Sequence, residues 1–299
     1  MRQLTLPRLL GAALLAAGAA LTMSAPANAA PTTPADPAAA VTSLNTAAAS
    51  RPSTVTGWYV DAATKSVVVS VHGSDRGVAT WAAAAHAGAI TIEHVAEAPK
   101  LLWNLIGGQA IYTGGARCSL GFNATSGRSR YVITAGHCTA AGAGWTGTGG
   151  TIGRRAASSF PTNDYGVIRV TSSLAVPTPL VDRYSSGSDV TVTGPVTATN
   201  ALAVCRSGST TGWRCGSVTG VNETVCYPQG CVYQLIRTNV CAEAGDSGGS
   251  LVTKPGSGST VRAVGMTSGG SGDCTSGGTT YFQPVTEVLS VNGLTLVTG

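Results

Sequence analysis

The chain has 299 residues, of which 10% are charged, and its formal net charge is +5. This length allows one or two domains. Its cationic residues are scattered and form no basic cluster with interleaved aromatics, so a nucleic-acid partner is not expected.

The N-terminus has the pattern of a secretory signal peptide over residues 1–29. Arg2 and Arg8 precede an apolar run over residues 9–21, and Ala27-Asn28-Ala29 offers a small-x-small cleavage site. The run is short for a membrane span, and no later segment approaches about 18 to 20 apolar residues. We therefore expect a secreted, extracellular protein without a membrane partner; the alternative is an uncleaved anchor.

Residues 30–105 form a second region, which contains no cysteine. Residues 30–50 are rich in Ala, Pro and Thr and are interpreted as a flexible leader. The pattern that follows predicts a small α+β unit that is thin for an independent core. Its elements are strands at 58–60 and 65–71, a helix at 79–87 and a strand at 90–95.

From residue 106 the pattern changes to short β-rich runs between glycine and asparagine turns. Such regular spacing is typical of an all-β sandwich or a pair of barrels. The clearest strands are predicted at 131–134, 165–170, 190–193 and 261–264, and a short helix near 286–291.

All eight cysteines lie between Cys118 and Cys274. An even number in an exported chain favours disulfides over metal ligation. Cys226 and Cys231 are close in sequence, but no second close pair and no nearby histidine completes a zinc site. We expect no metal and no cofactor.

Three segments carry residues suited to nucleophilic catalysis. A serine hydroxyl needs a base within hydrogen-bond reach, and histidine is the usual one. His72, His86 and His94 precede residue 106, so His137 is the only histidine after it. His137 is therefore the predicted base and Ser247 the predicted nucleophile. The segments read Thr134-Ala135-Gly136-His137-Cys138, Asn163-Asp164-Tyr165-Gly166 and Gly245-Asp246-Ser247-Gly248-Gly249-Ser250.

The carboxylate that orients His137 is predicted to be Asp164. Asp246 adjoins the serine, and neighbouring side chains diverge, so it cannot readily sit behind the histidine. Asp182 and Asp189 lie in polar, turn-like surroundings where solvated carboxylates are usual. Asp164 begins an apolar strand that can anchor it in the interior.

The segment around Ser247 also matches G-x-S-x-G, the nucleophile elbow of α/β-hydrolases. In that fold the histidine follows the serine, whereas no histidine follows Ser247. The alternating helices that a parallel sheet needs are also lacking. This alternative is therefore rejected.

The order His, Asp, Ser within TAGHC, NDYG and GDSGGS resembles the chymotrypsin-like serine proteases, in particular the bacterial streptogrisins and α-lytic protease. The resemblance covers nearly all of 106–299, and residues 55–105 are similar to the family's short pro-segments. It implies two packed six-stranded antiparallel β-barrels, with His137 and Asp164 on the first and Ser247 on the second. Further matching motifs lie at 118–123, 206–212, 238–242, 267–274 and 283–286.

The resemblance also implies a self-processing precursor with signal peptide 1–29, propeptide 30–105 and protease domain 106–299. Family members begin with an Ile-x-Gly-Gly-like sequence, so cleavage is expected between Leu105 and Ile106. The propeptide would be an inhibitory folding chaperone, and the alternative is a passive spacer. Expected partners are protein or peptide substrates and the chain's own propeptide, and the mature protein is expected to be a monomer.

The resemblance places the oxyanion hole at the backbone N–H groups of Gly245 and Ser247. Gly269 and Gly270 would leave space for a large side chain, so we expect large apolar residues before the scissile bond (P1). Thr267 stands where glutamate-preferring relatives carry histidine, whereas Asp273 near the rim leaves a basic preference open. The implied pocket wall is Ala242, Glu243, Ala244, Ser268, Gly269 and Gly270.

Asp246 is expected to form a buried ion pair with Arg206, which stands where the bacterial branch has an internal arginine; the alternative is a solvated arginine in a turn. The resemblance implies the disulfides Cys118–Cys138, Cys205–Cys215 and Cys241–Cys274. Many streptogrisins lack the remaining two cysteines, and Cys226 and Cys231 could meet across a Pro-Gly turn.

Two other functions remain to be weighed against an endopeptidase. A pseudo-protease that only binds usually lacks a member of the triad, and none is missing here. An esterase would share the acyl-enzyme chemistry, but a pro-segment and a strand-pairing cleft favour peptide substrates.

Overall fold

A computed structural model describes residues 36–299, which form two compact units, the first ending at Pro99 and the second spanning Lys100–Gly299. The signal peptide predicted over residues 1–29 lies outside the described residues. Within 36–299, no helix combines the length and the apolar character needed to cross a membrane.

The first unit is a three-stranded sheet with two helices. β1 runs antiparallel to β2, and β2 runs parallel to β3. Its core contains Leu44 from the first helix, Val69 and Val71 from the central strand, and Trp81 from the second helix. The elements are α1 (Pro37–Thr46), β1 (Val55–Val60), β2 (Val67–Val71), α2 (Val78–Ala84) and β3 (Ile90–His94).

The flexible leader predicted over residues 30–50 is wrong for Pro37–Thr46, which form α1. Asp36 caps this helix, because its Oδ1 accepts a hydrogen bond from the N–H of Ala38 at 3.1 Å. The proline lies in the first turn, where its missing N–H costs nothing. Leu44 is fully buried. The packing of this helix face therefore makes the segment a helix, although its composition alone indicates a linker.

The second unit is mostly β-structure, as expected. Its first half contains β4 (Trp103–Gly107), β5 (Ala110–Thr113), β6 (Ala116–Ser119), β7 (Phe122–Ser126), β8 (Ser129–Thr134), α3 (Gly136–Ala140), β9 (Gly144–Gly147), β10 (Gly150–Ser159), β11 (Tyr165–Val170) and β12 (Ala175–Val181). Its second half contains β13 (Val190–Pro195), β14 (Ala203–Gly208), β15 (Gly212–Tyr227), β16 (Gly230–Thr238), β17 (Ser250–Thr253), β18 (Thr260–Asp273), β19 (Gly277–Pro284), α4 (Val285–Asn292) and β20 (Thr295–Leu296).

The strands form two sheets. One has the order β17-β14-β15-β16-β19-β18-β13-β12-β4, and a further β17–β18 pairing closes six of these strands into a ring. The other has eight strands in the order β20-β7-β8-β11-β10-β9-β5-β6. The six-stranded ring has the strand number expected of one barrel, whereas the other sheet has eight strands, two more than expected; one of these, β20, returns from the C-terminus to pair with β7.

One core cluster contains residues from both sheets. Phe122 and Ile133 of the eight-stranded sheet pack in it with Val252 and Met266 of the nine-stranded sheet. The two sheets therefore share a buried core. The domain boundary predicted between residues 105 and 106 falls inside β4.

Candidate active site

His137 lies on α3, a five-residue helix that the sequence pattern did not predict. The helix follows β8 after one residue, so an interior strand of the sheet fixes its position. The His137 ring Nδ1 lies 2.8 Å from Asp164 Oδ2, and the backbone N–H of His137 donates to Asp164 Oδ1 at 2.8 Å. Two hydrogen bonds to one carboxylate fix both the ring and the helix that carries it.

Asp164 immediately precedes β11 and is completely buried. The Ser268 hydroxyl donates to its Oδ2 at 2.6 Å, and its backbone N–H donates to Gln283 Oε1 at 2.7 Å. A buried carboxylate requires donors such as the Ser268 hydroxyl because desolvation disfavours its charged form, whereas the bond to Gln283 holds the Asp164 backbone. Ser268 is predicted in the substrate pocket, and Gln283 belongs to a matching motif without an assigned contact; the sequence reasoning missed both the bond of Ser268 to the carboxylate and the bond of Gln283 to the Asp164 backbone.

Ser247 lies in a loop that is fastened to the other sheet. The N–H of Ser119 donates to the Ser247 carbonyl at 2.8 Å, and the Ser119 hydroxyl donates to the Gly245 carbonyl at 2.8 Å. Gly245 and Gly248 have φ values of 97° and 80°, a region that side chains disfavour. Ser247 is half-buried, and within residues 36–299 its hydroxyl makes no hydrogen bond to the His137 ring.

Two backbone N–H groups of this loop remain free. In the described part of the chain, neither Gly245 nor Ser247 donates its N–H to a protein acceptor, whereas the N–H of Asp246 bonds to the Glu243 carbonyl at 3.0 Å. Free N–H donors in a loop with a left-handed glycine are suited to binding an anion, and one of the two belongs to Ser247 itself.

Arg206 on β14 lies beside Asp246, and both side chains are fully buried. Arg206 Nη1 lies 3.3 Å from Asp246 Oδ1, and Arg206 Nε donates to the Cys241 carbonyl at 3.0 Å. Burial acts to raise the pKa of Asp246, but the charge of Arg206 and several hydrogen bonds outweigh it and lower the pKa. Burial also lowers the pKa of Arg206, which the Asp246 charge opposes.

A cavity of about 340 Å³ opens next to Ser247. Five of the six residues predicted to wall the substrate pocket line it, and the sixth, Ser268, lines a neighbouring cavity. The Glu243 side chain accepts a hydrogen bond from the Cys274 N–H at 3.1 Å. The lining residues are Ala242, Glu243, Ala244, Ser247, Thr267, Gly269, Gly270 and Gly272.

Asp273 is turned toward its own loop. Its Oδ1 accepts the N–H groups of Thr275 and Ser276, both at 2.7 Å. These hydrogen bonds lower the pKa of Asp273. Asp273 does not line the cavity beside Ser247.

The neighbouring cavity, of about 200 Å³, lies against the histidine. It is lined by His137, Phe160, Tyr227, Gln229 and Ser268. Phe160 meets the His137 ring edge-on at 5.7 Å between centroids, and Tyr227 Oη lies 3.1 Å from Ser268 Oγ. Phe160, Tyr227 and Gln229 carried no signal in the sequence, because they converge from a loop and a hairpin far apart in the chain.

The structure contains the four disulfides Cys118–Cys138, Cys205–Cys215, Cys226–Cys231 and Cys241–Cys274. Cys118 and Cys138 connect β6 with the helix of His137. Their sulfur atoms and a His137 ring nitrogen lie within 4.8 Å of one another. Because these sulfurs are bonded to each other, they are not available as thiolate ligands.

Comparisons with known proteins identify one family. Residues 105–291 match the trypsin family, and residues 35–89 match the alpha-lytic protease prodomain. The chain is 46% identical to streptogrisin-A of Streptomyces griseus, over 81% of this chain and 78% of that protein. It is 45% identical to streptogrisin-C of the same organism over 83% of this chain, and spans 53% of that longer protein.

Solved structures give the same result. A crystal structure of a Nocardiopsis protease is 47% identical in sequence, with a TM-score of 0.61, and the match covers 66% of this chain and all of that one.

Proposed function

This chain belongs to the trypsin family of serine proteases, with an alpha-lytic protease prodomain before its protease domain, and we propose that it is the precursor of a secreted serine endopeptidase. The observation that carries the proposal is the bond from His137 Nδ1 to the buried Asp164, 2.8 Å from Oδ2. This bond leaves Nε2 of His137 as the nitrogen that can accept a proton from a serine.

In the proposed mechanism, Ser247 Oγ attacks the carbonyl carbon of the scissile peptide bond while His137 Nε2 takes its proton. The free N–H groups of Gly245 and Ser247 stabilise the oxyanion of the tetrahedral intermediate. His137 then protonates the leaving amine, and a water molecule hydrolyses the resulting ester. Asp164 holds the imidazole in position and stabilises the imidazolium that forms.

We propose large apolar P1 residues as the preferred substrates. The cavity beside Ser247 contains small residues at Ala242, Ala244, Gly269 and Gly270. Glu243 in its wall disfavours an acidic P1 side chain by charge repulsion, and because its carboxylate already accepts the Cys274 N–H, it gives little support to a basic P1 side chain. Asp273, whose carboxylate is engaged in its own turn, gives little support to a basic preference.

The test is a panel of peptides that differ only at P1, assayed with the processed enzyme. We expect Leu and Phe peptides to have kcat/KM values at least tenfold above those of Glu and Arg peptides. Ser247→Ala should abolish cleavage and labelling by a fluorophosphonate, whereas Ser257→Ala, on an exposed loop, should retain both. Cleavage that survives in Ser247→Ala would contradict the mechanism.

The proposal also includes export of the protein and folding assisted by its prodomain. The signal-peptide pattern of residues 1–29 and four disulfides suit an oxidising, extracellular compartment. The prodomain is proposed to act as a folding chaperone for the protease domain. Refolding of the denatured protease domain should give active enzyme only when the prodomain is added; equal recovery without it would contradict this role.

A further inference from the structure

The three residues directly before β4 are exposed to solvent: Lys100, Leu101 and Leu102. They belong to no helix or strand. Leu101 is 92% exposed and Leu102 is 67% exposed, the highest values among the large apolar side chains of residues 36–299. Leucine is among the residue types most often fully buried, and two adjacent exposed leucines outside any helix or strand make this segment accessible to a protease.

Leu105, by contrast, is part of the protease fold. Its side chain is 1% exposed and packs in a core cluster with Ile111 and Trp145. Its carbonyl accepts hydrogen bonds from Asn123 Nδ2 and Thr178 Oγ1, both at 2.8 Å. A protease binds its substrate as an extended strand, so cleavage after Leu105 would require this segment to leave the core.

Trp103 is also packed into the protease unit. Its N–H donates to the Leu174 carbonyl at 3.0 Å, at the start of the parallel pairing of β4 with β12. Gly147 and Gly149 face the indole so closely that a Cβ at either position would collide with the ring. The two glycines therefore leave room for the Trp103 ring. Cleavage after Leu105 would remove Trp103 from the mature enzyme.

We propose that the maturation cleavage of this precursor occurs between Leu102 and Trp103, and that Trp103 to Leu105 remain in the mature enzyme. The inference rests on the proposed protease function and on its preference for a large apolar P1 residue. β4 is the outermost strand of its sheet, so its first residues can separate from β12 long enough to enter the active site of another molecule.

The reaction is hydrolysis of one peptide bond. Ser247 Oγ forms an ester with the Leu102 carbonyl carbon, and the Trp103 nitrogen leaves after taking the proton held by His137. Water then hydrolyses the ester, which gives a carboxylate at Leu102 and restores the Ser247 hydroxyl. The new amine of Trp103 can keep its hydrogen bond to the Leu174 carbonyl.

The experiment uses the full precursor, with intact mass and N-terminal sequencing of the product. Wild-type precursor should give a protease that begins at Trp103. Ser247→Ala precursor should stay uncleaved alone and give the same N-terminus when processed wild-type enzyme is added. A product that begins at Ile106, or at any residue other than Trp103, overturns the assignment.

Leu102→Asp supplies a second measurement, since it should slow processing at least tenfold without entering the core. Lys100→Asp is the matched control, because it places the same carboxylate in the same exposed segment and should be processed within twofold of wild type. Equal rates for both variants overturn the proposal. Activity on a peptide substrate, measured separately, shows whether the protease function itself holds.

Discussion

Arg206 Nη1 lies 3.3 Å from Asp246 Oδ1 in a site from which solvent is excluded. Asp246 also accepts the N–H groups of Thr210 at 2.9 Å and Glu243 at 2.9 Å. The aspartate that precedes the proposed nucleophile is thus attached to β14 and to two loops. Because both charged side chains are buried, removing either one leaves the other without a compensating charge.

Arg206→Met should lower the free energy of unfolding by about 3–5 kcal/mol, the range for breaking a buried pair. The measurement is chemical denaturation of the processed protein. Arg214→Met is the control, because Arg214 is the exposed cross-strand neighbour of Arg206 and its loss should cost less than about 0.5 kcal/mol. Equal destabilisation by the two variants would contradict a stabilising role for the pair.

The Arg206–Asp246 pair should also make the free energy of unfolding depend on pH in the acid range. The pKa of Asp246 is lowered in the folded state, so the folded protein favours the ionised form. This contribution is fully present above the unfolded-state pKa of about 3.9 and is lost as pH falls through the folded-state value. Unfolding free energy measured between pH 6 and pH 2 should decrease over the acid end of this range. In Arg206→Met the slope should be smaller, and an unchanged slope would assign the dependence to other carboxylates.

The sequence predicted the parts of the site that depend on short segments. His137, Asp164 and Ser247 each lie within a motif. Counting the histidines singles out His137, and the apolar strand after Asp164 favours it over the other aspartates. Asp164 receives a hydrogen bond from Ser268, 104 residues later, and no local pattern reports a contact between separate strands. The helix that carries His137 is five residues long, too short for a hydrophobic period to show.

The prediction of a flexible leader over residues 30–50 shows what composition cannot report. α1 is rich in Ala and Pro, which favours a linker, but burial of Leu44 makes this segment a helix. The boundary after Leu105 stays a prediction; it falls within β4, and Leu105 is a core residue of the protease unit. Tertiary packing, which a composition or motif cannot report, determines the structure of α1.

Ser268→Ala should lower kcat/KM about tenfold, equivalent to about 1.4 kcal/mol, since a hydrogen bond to a charged group contributes about 1.5–3 kcal/mol. The lost donor is the hydroxyl that lies 2.6 Å from Asp164 Oδ2. Ser268→Thr, which keeps the hydroxyl, should recover most of the activity. Steady-state kinetics on a leucine peptide provide the measurement. Equal losses in the alanine and threonine variants would show that packing, rather than the hydrogen bond, matters.

The hairpin of β15 and β16 carries Tyr227 to the cavity beside His137. Cys226 and Cys231 are cross-strand partners at its tip, directly next to Tyr227 and Gly230. On its outer side, the Thr162 N–H donates to the Cys231 carbonyl at 2.9 Å. The disulfide therefore holds the tyrosine in the cavity wall from within the hairpin.

Replacing both Cys226 and Cys231 by serine should raise KM several-fold and leave kcat within about twofold, because Tyr227 lines the cavity without touching the reacting atoms. The short closed loop also predicts a loss of about 2 kcal/mol in unfolding free energy. Serine at both Cys205 and Cys215 is the matched control: it should cost about 3 kcal/mol and leave KM unchanged, since neither residue lines a cavity at the site. A parallel rise of KM in both double variants would mean that lost stability, not the position of Tyr227, weakens substrate binding.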